Sequence, residues 1–374
     1  MRRAISLVGT SAVLAAALGT GTAAQSDAPV TLTYSTFIND PNPQIAQALA
    51  DAYTALHPNV TIDVVTRPGG AEGDNLVKTA LATDEMEDVF MYNAGSLLQA
   101  LSPTEKLVDL SAEPCIPNIA DAFIPAVTQG EGIFGVPVEP AMGGGILYNK
   151  KIYEQLSLAV PTTWAEFGAN NEAIKAAGIA PVGATYGDTW TSQLFVLADY
   201  YNVQSAIPDF ADQYTGNKIK YATTPAALAG FKHLQEAFEK GWYQEDFGSA
   251  KFDDALNMLA AGEIAHYPML TFALAAIAAN NPDKVNDIGF FAQPGDDATK
   301  NGATVWMPAA LYIPQSSTNI DVAKDFLCFV ASVAGTEAMK AAVPPSGPYL
   351  IKGSTLPADA LPAVLDLQKY LDTN

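Results

Sequence analysis

One stretch, residues 130–167, constrains the fold of this chain more than any other, because short apolar runs in it alternate with prolines and glycines. An apolar segment over residues 133–138 is interrupted by proline, three glycines follow at 143–145, and residues 146–148 form a strand-like run. Proline is excluded from central strands, and glycine tolerates unusual backbone dihedrals. We therefore predict that the chain crosses here from one lobe to another.

Helices are predicted directly after this crossing. Asn149 precedes an amphipathic helix that has Ile152 and Leu156 on its apolar face. A second helix begins near Thr163, which is placed to cap it, with Glu166 placed for the reciprocal hydrogen bond of a capping box.

The rest of the chain alternates strands with helices. Residues 30–34 and 60–65 are predicted strands on either side of a helix over 44–56, which is the β-α-β pattern of a parallel sheet. A further strand over 88–91 ends just before Tyr92, Asn93 and Ser96. Because open α/β sheets bind ligands beyond the carboxyl ends of their strands, we place these three side chains at a ligand site.

Composition and the N-terminus limit the class of protein. The 374 residues suffice for two lobes, and a net charge of −21 argues against nucleic acid as a partner, since phosphate contacts need clustered cations. Arg2 and Arg3 precede a small apolar run over 4–18, which predicts a secretory signal peptide cleaved after Ala24. No cysteine precedes Cys115, so we expect a free mature chain and not a lipoprotein.

Four motifs follow one another in a recognisable order. They are GVP (135–137), AMG (141–143), LYNKK (147–151) and VPTTWAEF (160–167). This order resembles the family 1 extracellular solute-binding proteins of ABC importers, which carry sugars and oligosaccharides. The resemblance covers nearly the whole mature chain, and it places the first passage between lobes in the stretch described above.

The resemblance implies an α/β protein with the two-lobed, type II periplasmic-binding-protein fold. Each lobe would be a mostly parallel sheet flanked by helices, with the ligand cleft between them. We expect residues 25–138 and 287–334 in the N-terminal lobe and residues 139–286 and 335–374 in the C-terminal lobe. The crossings would then lie near Val138, Asn286 and Ala334.

The same resemblance implies a function. A periplasmic monomer would capture a mono- or oligosaccharide by hinge closure and deliver it to membrane-embedded ABC permease subunits, with no cofactor, no metal and no catalysis. Two alternatives remain open at this point: a secreted carbohydrate-active enzyme, and a binding protein for a non-sugar solute.

Aromatic side chains in polar loops are the candidate ligand contacts, because sugars present apolar C–H faces and a rim of hydroxyls. Three loops combine both residue types, and Tyr267 resembles an aromatic of the family that faces sugar. The complete candidate set is Phe37, Asn39, Asp40, Tyr92, Asn93, Ser96, Met142, Tyr186, Asp188, Trp190, Tyr267, Trp306 and Tyr349.

Several motifs that could support other chemistry lack the context it needs. The glycines of the G-x-G-x-x-G at 130–135 are followed by Val136-Pro137, which forbids the helix of a dinucleotide site. The three histidines have no second histidine or cysteine at metal-ligand spacing. Asp253-Asp254 and Asp296-Asp297 are adjacent carboxylates, which cannot straddle a glycosidic bond.

The two cysteines, Cys115 and Cys328, both fall in the predicted N-terminal lobe. A disulfide is permitted in the periplasm, but Cys328 lies between Leu327 and Phe329 on an apolar helix, where a free cysteine is a common core residue. We therefore expect two free, buried thiols.

Overall fold

A computed structural model describes residues 28–39, 41–307 and 309–371, so the predicted signal peptide lies outside the described residues. The helices and strands of these ranges are β1 (Val30–Phe37), α1 (Asn42–Leu56), β2 (Val60–Arg67), α2 (Gly70–Ala82), β3 (Val89–Asn93), α3 (Ser96–Gln99), α4 (Pro103–Lys106), β4 (Thr128–Gln129), β5 (Gly132–Ile133), β6 (Gly135–Pro137), β7 (Met142–Asn149), α5 (Lys150–Leu156), α6 (Trp164–Ala176), β8 (Ala180–Val182), α7 (Leu194–Ala198), α8 (Tyr200–Ala206), α9 (Phe210–Thr215), α10 (Pro225–Glu239), α11 (Phe252–Ala261), β9 (Ile264–Leu270), α12 (Ala273–Asn280), β10 (Ile288–Ala292), β11 (Thr304–Trp306), β12 (Ala309–Tyr312), α13 (Ile320–Val330), α14 (Val333–Ala342) and α15 (Pro362–Leu371).

The first lobe is built on a five-stranded sheet of order β2-β1-β3-β12-β6. Strands β1, β2 and β3 are parallel, as the β-α-β pattern predicted, and β1 and β2 pair from Val30–Val60 to Phe37–Arg67. Strand β12 runs antiparallel to β3 and β6, because it enters the sheet on a return from the second lobe.

The second lobe is built on a sheet of order β10-β7-β9-β8, and β11 pairs with the start of β7. Strand β7 carries the chain out of the crossing and runs antiparallel to β9, β10 and β11, whereas β8 and β9 are parallel. Helix α6 has the predicted capping box, in which Thr163 and Glu166 exchange hydrogen bonds. Asn149 caps α5 by accepting from the N–H groups of Lys151 and Ile152. Both sheets are therefore mixed, and the α/β class is confirmed. The expectation of a mostly parallel sheet was wrong for the second lobe, because β7 pairs antiparallel with three strands.

Strand β10 corrects our prediction of the second crossing. Residues 286–291 were expected to return to the first lobe, but Ile288–Ala292 pairs with β7 in the second sheet. The return comes later, between Trp306, which pairs with Met142, and Ala309, which pairs with Asn93. A strand whose five residues are all buried carries no alternation that reveals its sheet.

The third crossing also lies further along the chain than predicted. Residues 335–351 were expected in the second lobe, but Met339, Leu350 and Ile351 are buried in the first core. The chain then reaches the second core at Leu356, and α15 packs there through Leu367. This crossing therefore lies between residues 351 and 356.

The two cysteines form a disulfide, so the prediction of free thiols was wrong. The Cα atoms of Cys115 and Cys328 lie 5.2 Å apart. Neighbouring residues of a helix point in different directions, so Leu327 enters the core while Cys328 faces the loop before residue 116. Lys324, one turn earlier on α13, forms an ion pair with Glu113 of the same loop at 2.8 Å.

Candidate functional site

The two lobes line a recess of about 350 Å³, open solvent included, beside the first crossing. The first lobe contributes the start of α1 and the segment after α14, and the second lobe contributes the start of α12. The lining residues are Pro41, Ile45, Glu139, Pro140, Met142, Phe272, Ala275, Met339, Val343, Pro344, Pro345, Ser346 and Tyr349. Most of these side chains are apolar, which suits the C–H faces of a solute.

The proline-rich segment after α14 lies against the first crossing. The N–H of Ala141 donates to the carbonyl oxygen of Pro348 at 2.8 Å. A Cβ atom placed on Gly347 would lie 1.9 Å from the carbonyl oxygen of Ala141, so the backbones can approach this closely only because residue 347 is glycine. The wall of the recess is therefore continuous across the crossing.

Glu139 is the acidic residue of the recess lining. Its side chain is partly buried, and desolvation by its surroundings raises the pKa of this carboxyl to about 7. Glu139 is not among the residues predicted from the sequence. The available signal was a carboxylate between Val138 and Pro140, within the segment predicted to cross between the lobes.

The carboxyl edge of the first sheet lies next to the recess. Strands β1, β2 and β3 end at Phe37, Arg67 and Asn93. Asn93 pairs with Ala309, three residues after Trp306, and Trp306 pairs with Met142 in the recess wall. The structure thus brings Asn93, Trp306, Met142 and Tyr349 to the junction of the lobes, and Phe37 ends β1 at the same edge of the first sheet as Asn93.

Other candidates in the first lobe are differently placed. The ring of Tyr92 is fully buried in the first core, so it offers no open face; burial, with the Asp74 carboxylate nearby, raises the pKa of its hydroxyl. Successive side chains of a strand point to opposite faces, which separates Tyr92 from Asn93. Asn39 and Ser96 are exposed, and Asp40 lies outside the described residues.

Trp190 joins an aromatic cluster that reaches the recess from the second lobe. Its partly buried ring lies 5.4 Å from the ring of Phe252 and 6.2 Å from that of Phe272. Phe252 and Phe272 are stacked at 5.5 Å, and Phe272 lines the recess. Phe272 is not among the residues predicted from the sequence, because the resemblance to the family in this segment rests on Tyr267.

The remaining candidates of the second lobe have hydrogen-bond partners within that lobe. Asp188 accepts from the backbone N–H of Phe252 at 2.8 Å, at the start of α11, and from Nζ of Lys251 at 3.2 Å. Its carboxylate therefore has partners within the lobe.

Tyr186 and Tyr267 line a separate recess of about 230 Å³, whose walls come from the second lobe alone. The hydroxyl of Tyr186 donates to the hydroxyl of Tyr243 at 3.2 Å, and the hydroxyls of Tyr267 and Thr185 lie 2.6 Å apart. Tyr267 is buried and Tyr186 is half-buried, and neither lines the recess between the lobes.

Two of the adjacent carboxylates and one histidine have structural partners. Asp254 accepts from the N–H of Lys251 at the start of α11, and Asp297 accepts from the N–H of Thr299. Burial lowers the pKa of His266 to about 3, and its ring nitrogens contact Tyr153 and Pro181. Within residues 28–39, 41–307 and 309–371, no group of three histidine, cysteine or acidic side chains could hold a metal ion.

None of the helices in the described part of the chain is long and apolar enough to cross a membrane.

Comparison with known proteins gives consistent matches. The family model described as "Bacterial extracellular solute-binding protein" matches residues 14–337. The "Multiple sugar-binding protein" of Streptococcus mutans is 24% identical over 339 residues, which span 88% of this chain and 77% of that protein.

Solved structures share the fold. A "Chitin oligosaccharide binding protein" has a TM-score of 0.78 at 20% identity, covering 92% of this chain and 87% of that chain. The solute-binding protein RafE, solved in complex with raffinose, has a TM-score of 0.76 at 22% identity, covering 91% of this chain and 87% of that chain. The two-lobed, type II fold is thereby confirmed.

Proposed function

The chain belongs to the bacterial extracellular solute-binding protein family, and we propose that it is the substrate-binding component of an ABC sugar importer. It captures a mono- or oligosaccharide between its lobes and delivers it to the permease subunits without changing it chemically. The observation that carries this proposal is the recess between the lobes, whose apolar and aromatic walls surround one carboxylate. The sugar-binding names of its relatives support the choice of solute.

The chemistry of the recess suits an uncharged, hydroxyl-rich solute. Phe272, with Trp190 behind it, and Trp306 offer aromatic surface for sugar C–H faces. The carboxylate of Glu139 accepts hydrogen bonds from sugar hydroxyls, and an anionic sugar would be repelled by it. Asn93, at the end of β3, supplies an amide that both donates and accepts.

The lobes close over the solute by rotating about the three crossings that connect them. These crossings lie near residues 138–142, 306–309 and 351–356. Each lobe has its own buried core, so the lobes rotate as rigid bodies about these short segments. Hinge closure buries the sugar, and opening releases it at the permease.

The location of the protein is part of the proposal. The extracellular family implies export, and we propose a free, monomeric periplasmic protein whose signal peptide is removed after Ala24. Mass spectrometry of the exported chain tests this: an N-terminus at Gln25 without lipid is expected.

A thermal-shift screen tests the solute class. The panel holds raffinose, stachyose, chitotriose, xylotriose and galactose, with amino acids and dipeptides as the comparison set. At least one sugar is expected to raise the melting temperature and to give a dissociation constant near 1 μM by calorimetry, about −8 kcal/mol. Sugar recovered unchanged after incubation supports transport; released products would indicate the carbohydrate-active enzyme, and shifts from the comparison set alone a non-sugar solute.

A further inference from the structure

Arg67 is the only arginine of the sequence after position 3, in a chain with 40 acidic residues. It ends β2 at the carboxyl edge of the first sheet, and its side chain is only 7% exposed. The site described above does not use it. A guanidinium buried in this place calls for a physical explanation.

The guanidinium of Arg67 joins three strands. It donates from Nη1 to Oγ of Ser35 on β1 at 3.1 Å and from Nη2 to the carbonyl oxygen of Met91 on β3. Its Cζ atom lies 4.7 Å from the centre of the Phe37 ring. Arg67 therefore fixes the last residues of β1 and β3 relative to each other and to one aromatic ring.

The bonds of Arg67 lie where the ladder between these strands ends. Strands β1 and β3 pair at Tyr34–Val89 and Ser35–Phe90. Arg67 bonds Ser35, the last ladder residue of β1, and Met91, the first residue of β3 beyond the ladder. The planar fork of an arginine can join two strands with two hydrogen bonds, whereas a lysine has a single point charge.

Keeping a cation in this position is costly. Burial lowers the pKa of Arg67, opposed by the negative charges of Glu87 and Asp74, and Nε is buried without a hydrogen-bond partner among the described residues. Apolar side chains of similar size often stabilise a core as well as a buried charge does. Stability alone therefore gives little reason for an arginine here.

We propose that Arg67 is a positioning residue for the ligand cleft, which ties β1 to β3 near their carboxyl ends and fixes the ring of Phe37 for contact with a bound sugar. The inference rests on the proposed function, because Phe37 contacts a solute only if the solute lies between the lobes. Arg67 itself touches no sugar. Because Arg67 restrains the Phe37 ring before sugar binds, the ring loses less conformational entropy on binding.

A double-mutant cycle tests the role in binding. Arg67→Met, which keeps the length of the stem, is combined with Phe37→Ala, and affinity is measured by calorimetry with the panel sugar that binds most tightly. Arg67→Met is expected to weaken binding about three- to tenfold. The double variant should bind no more weakly than Phe37→Ala alone, because Arg67 acts through that ring. Additive losses, or unchanged affinity in Arg67→Met, overturn the proposal.

Two further variants control the cycle. Lys106→Met removes a partly exposed cation of the same lobe, next to the strand end opposite the cleft, and should bind normally. Arg67→Lys keeps the charge but loses the fork, so it should bind as weakly as Arg67→Met. Full recovery of sugar affinity in Arg67→Lys would show that the positive charge alone supports binding, and it would overturn the proposal.

A second measurement needs no sugar. Arginine labelled with ¹⁵N gives at most three Nε signals from this chain, and the one lost in Arg67→Lys belongs to Arg67. Its proton should exchange slowly with water, and Phe37→Ala should shift the signal and speed the exchange. A rapidly exchanging signal, or one indifferent to Phe37→Ala, overturns the positioning role. If no panel sugar binds while this signal behaves as expected, the proposed function fails and the contact between Arg67 and Phe37 stands.

Discussion

The backbone N–H of Ala141 donates to the carbonyl oxygen of Pro348 at 2.8 Å, which ties the first crossing to the segment after α14. These two segments are more than two hundred residues apart in sequence, yet together they form one wall of the recess. Any rotation of the lobes has to keep this contact or break it. The packing of Gly347 on Ala141 is therefore the most direct place to perturb the hinge.

Replacing Gly347 with alanine should destabilise the protein. The added Cβ would meet the carbonyl oxygen of Ala141 at 1.9 Å, and a backbone atom cannot move aside as a side chain does. We expect a loss of about 1–3 kcal/mol, as for other overpacked sites, measured by urea denaturation. Gly248→Ala is the matched control, since a Cβ there meets no atom within 4 Å. Equal stability of both variants would show that the two segments can separate freely.

Removing the disulfide should lower stability without affecting the cleft. The bond closes a loop with a sequence separation of 213, and it joins two parts of the first lobe only. The double variant Cys115→Ala/Cys328→Ala should lose about 2–4 kcal/mol of unfolding free energy. Sugar affinity should stay within twofold. Dithiothreitol should lower the melting temperature of the parent chain and leave that of the double variant unchanged.

The affinity for sugar should depend on pH through Glu139. Burial raises the pKa of this carboxyl from 4.5 to about 7 in the unliganded fold. Sugar hydroxyls donate to the ionised form, so binding should strengthen as pH rises from 5 to 8, by about three- to tenfold. Calorimetry at several pH values measures this. Glu139→Gln should bind with an affinity that does not change over that range.

The stability of the unliganded protein should depend on pH through Glu139 in the opposite direction from the affinity for sugar. Because the pKa is higher in the folded than in the unfolded protein, the stabilisation linked to the Glu139 proton is fully present below pH 4.5 and is lost as pH rises through 7. In unliganded protein, Glu139→Gln should therefore become more stable relative to the parent as pH rises from 5 to 8. A constant difference would mean that Glu139 titrates normally.

Local signals in the sequence predicted the local structure well. The capping box of Thr163 and Glu166 depends on residues three apart, and the parallel start of the first sheet depends on one β-α-β unit. The first crossing was also identified, because proline and glycine mark it directly. Each of these features is determined by residues that are close together in the sequence.

Features that depend on distant partners could not be predicted. The all-apolar run of β10 fits either sheet, and only its pairing with β7 decides between them. Cys328 could face the core or Cys115, depending on the rotation of α13. Tyr92 and Asn93 looked equally suited to a ligand, but one points into the core. Phe272, Glu139 and Arg67 matter because of what surrounds them, which a single sequence does not display.

Sugar binding should make the molecule more compact without changing its helices. Each lobe has its own core, and three short segments connect them. Small-angle scattering should show a smaller radius of gyration with saturating sugar, while far-ultraviolet circular dichroism stays the same. An unchanged radius at full saturation would contradict hinge closure and would favour a preformed closed site.

Trp190 provides the most direct test of the aromatic surface. Its ring packs on Phe252 and Phe272, and Phe272 lines the recess, so Trp190 acts on the sugar directly or through that ring. Trp190→Ala should weaken binding by tenfold or more, since the loss of one central aromatic anchor costs about 2 kcal/mol. The partly buried ring also supports the second core, so a stability loss smaller than the about 3–5 kcal/mol of a fully buried aromatic is expected.

Three variants separate a binding role of Trp190 from a purely structural one. Trp190→Phe keeps a flat ring and should recover most of the affinity. Phe231→Ala removes an exposed ring from α10 and should change neither affinity nor melting temperature. Phe272→Ala should resemble Trp190→Ala in affinity, because both belong to one cluster. If Trp190→Ala melts far below the parent yet binds sugar normally, its ring supports the fold alone, and the aromatic surface of the cleft must then be provided by other rings, such as Phe272 and Trp306.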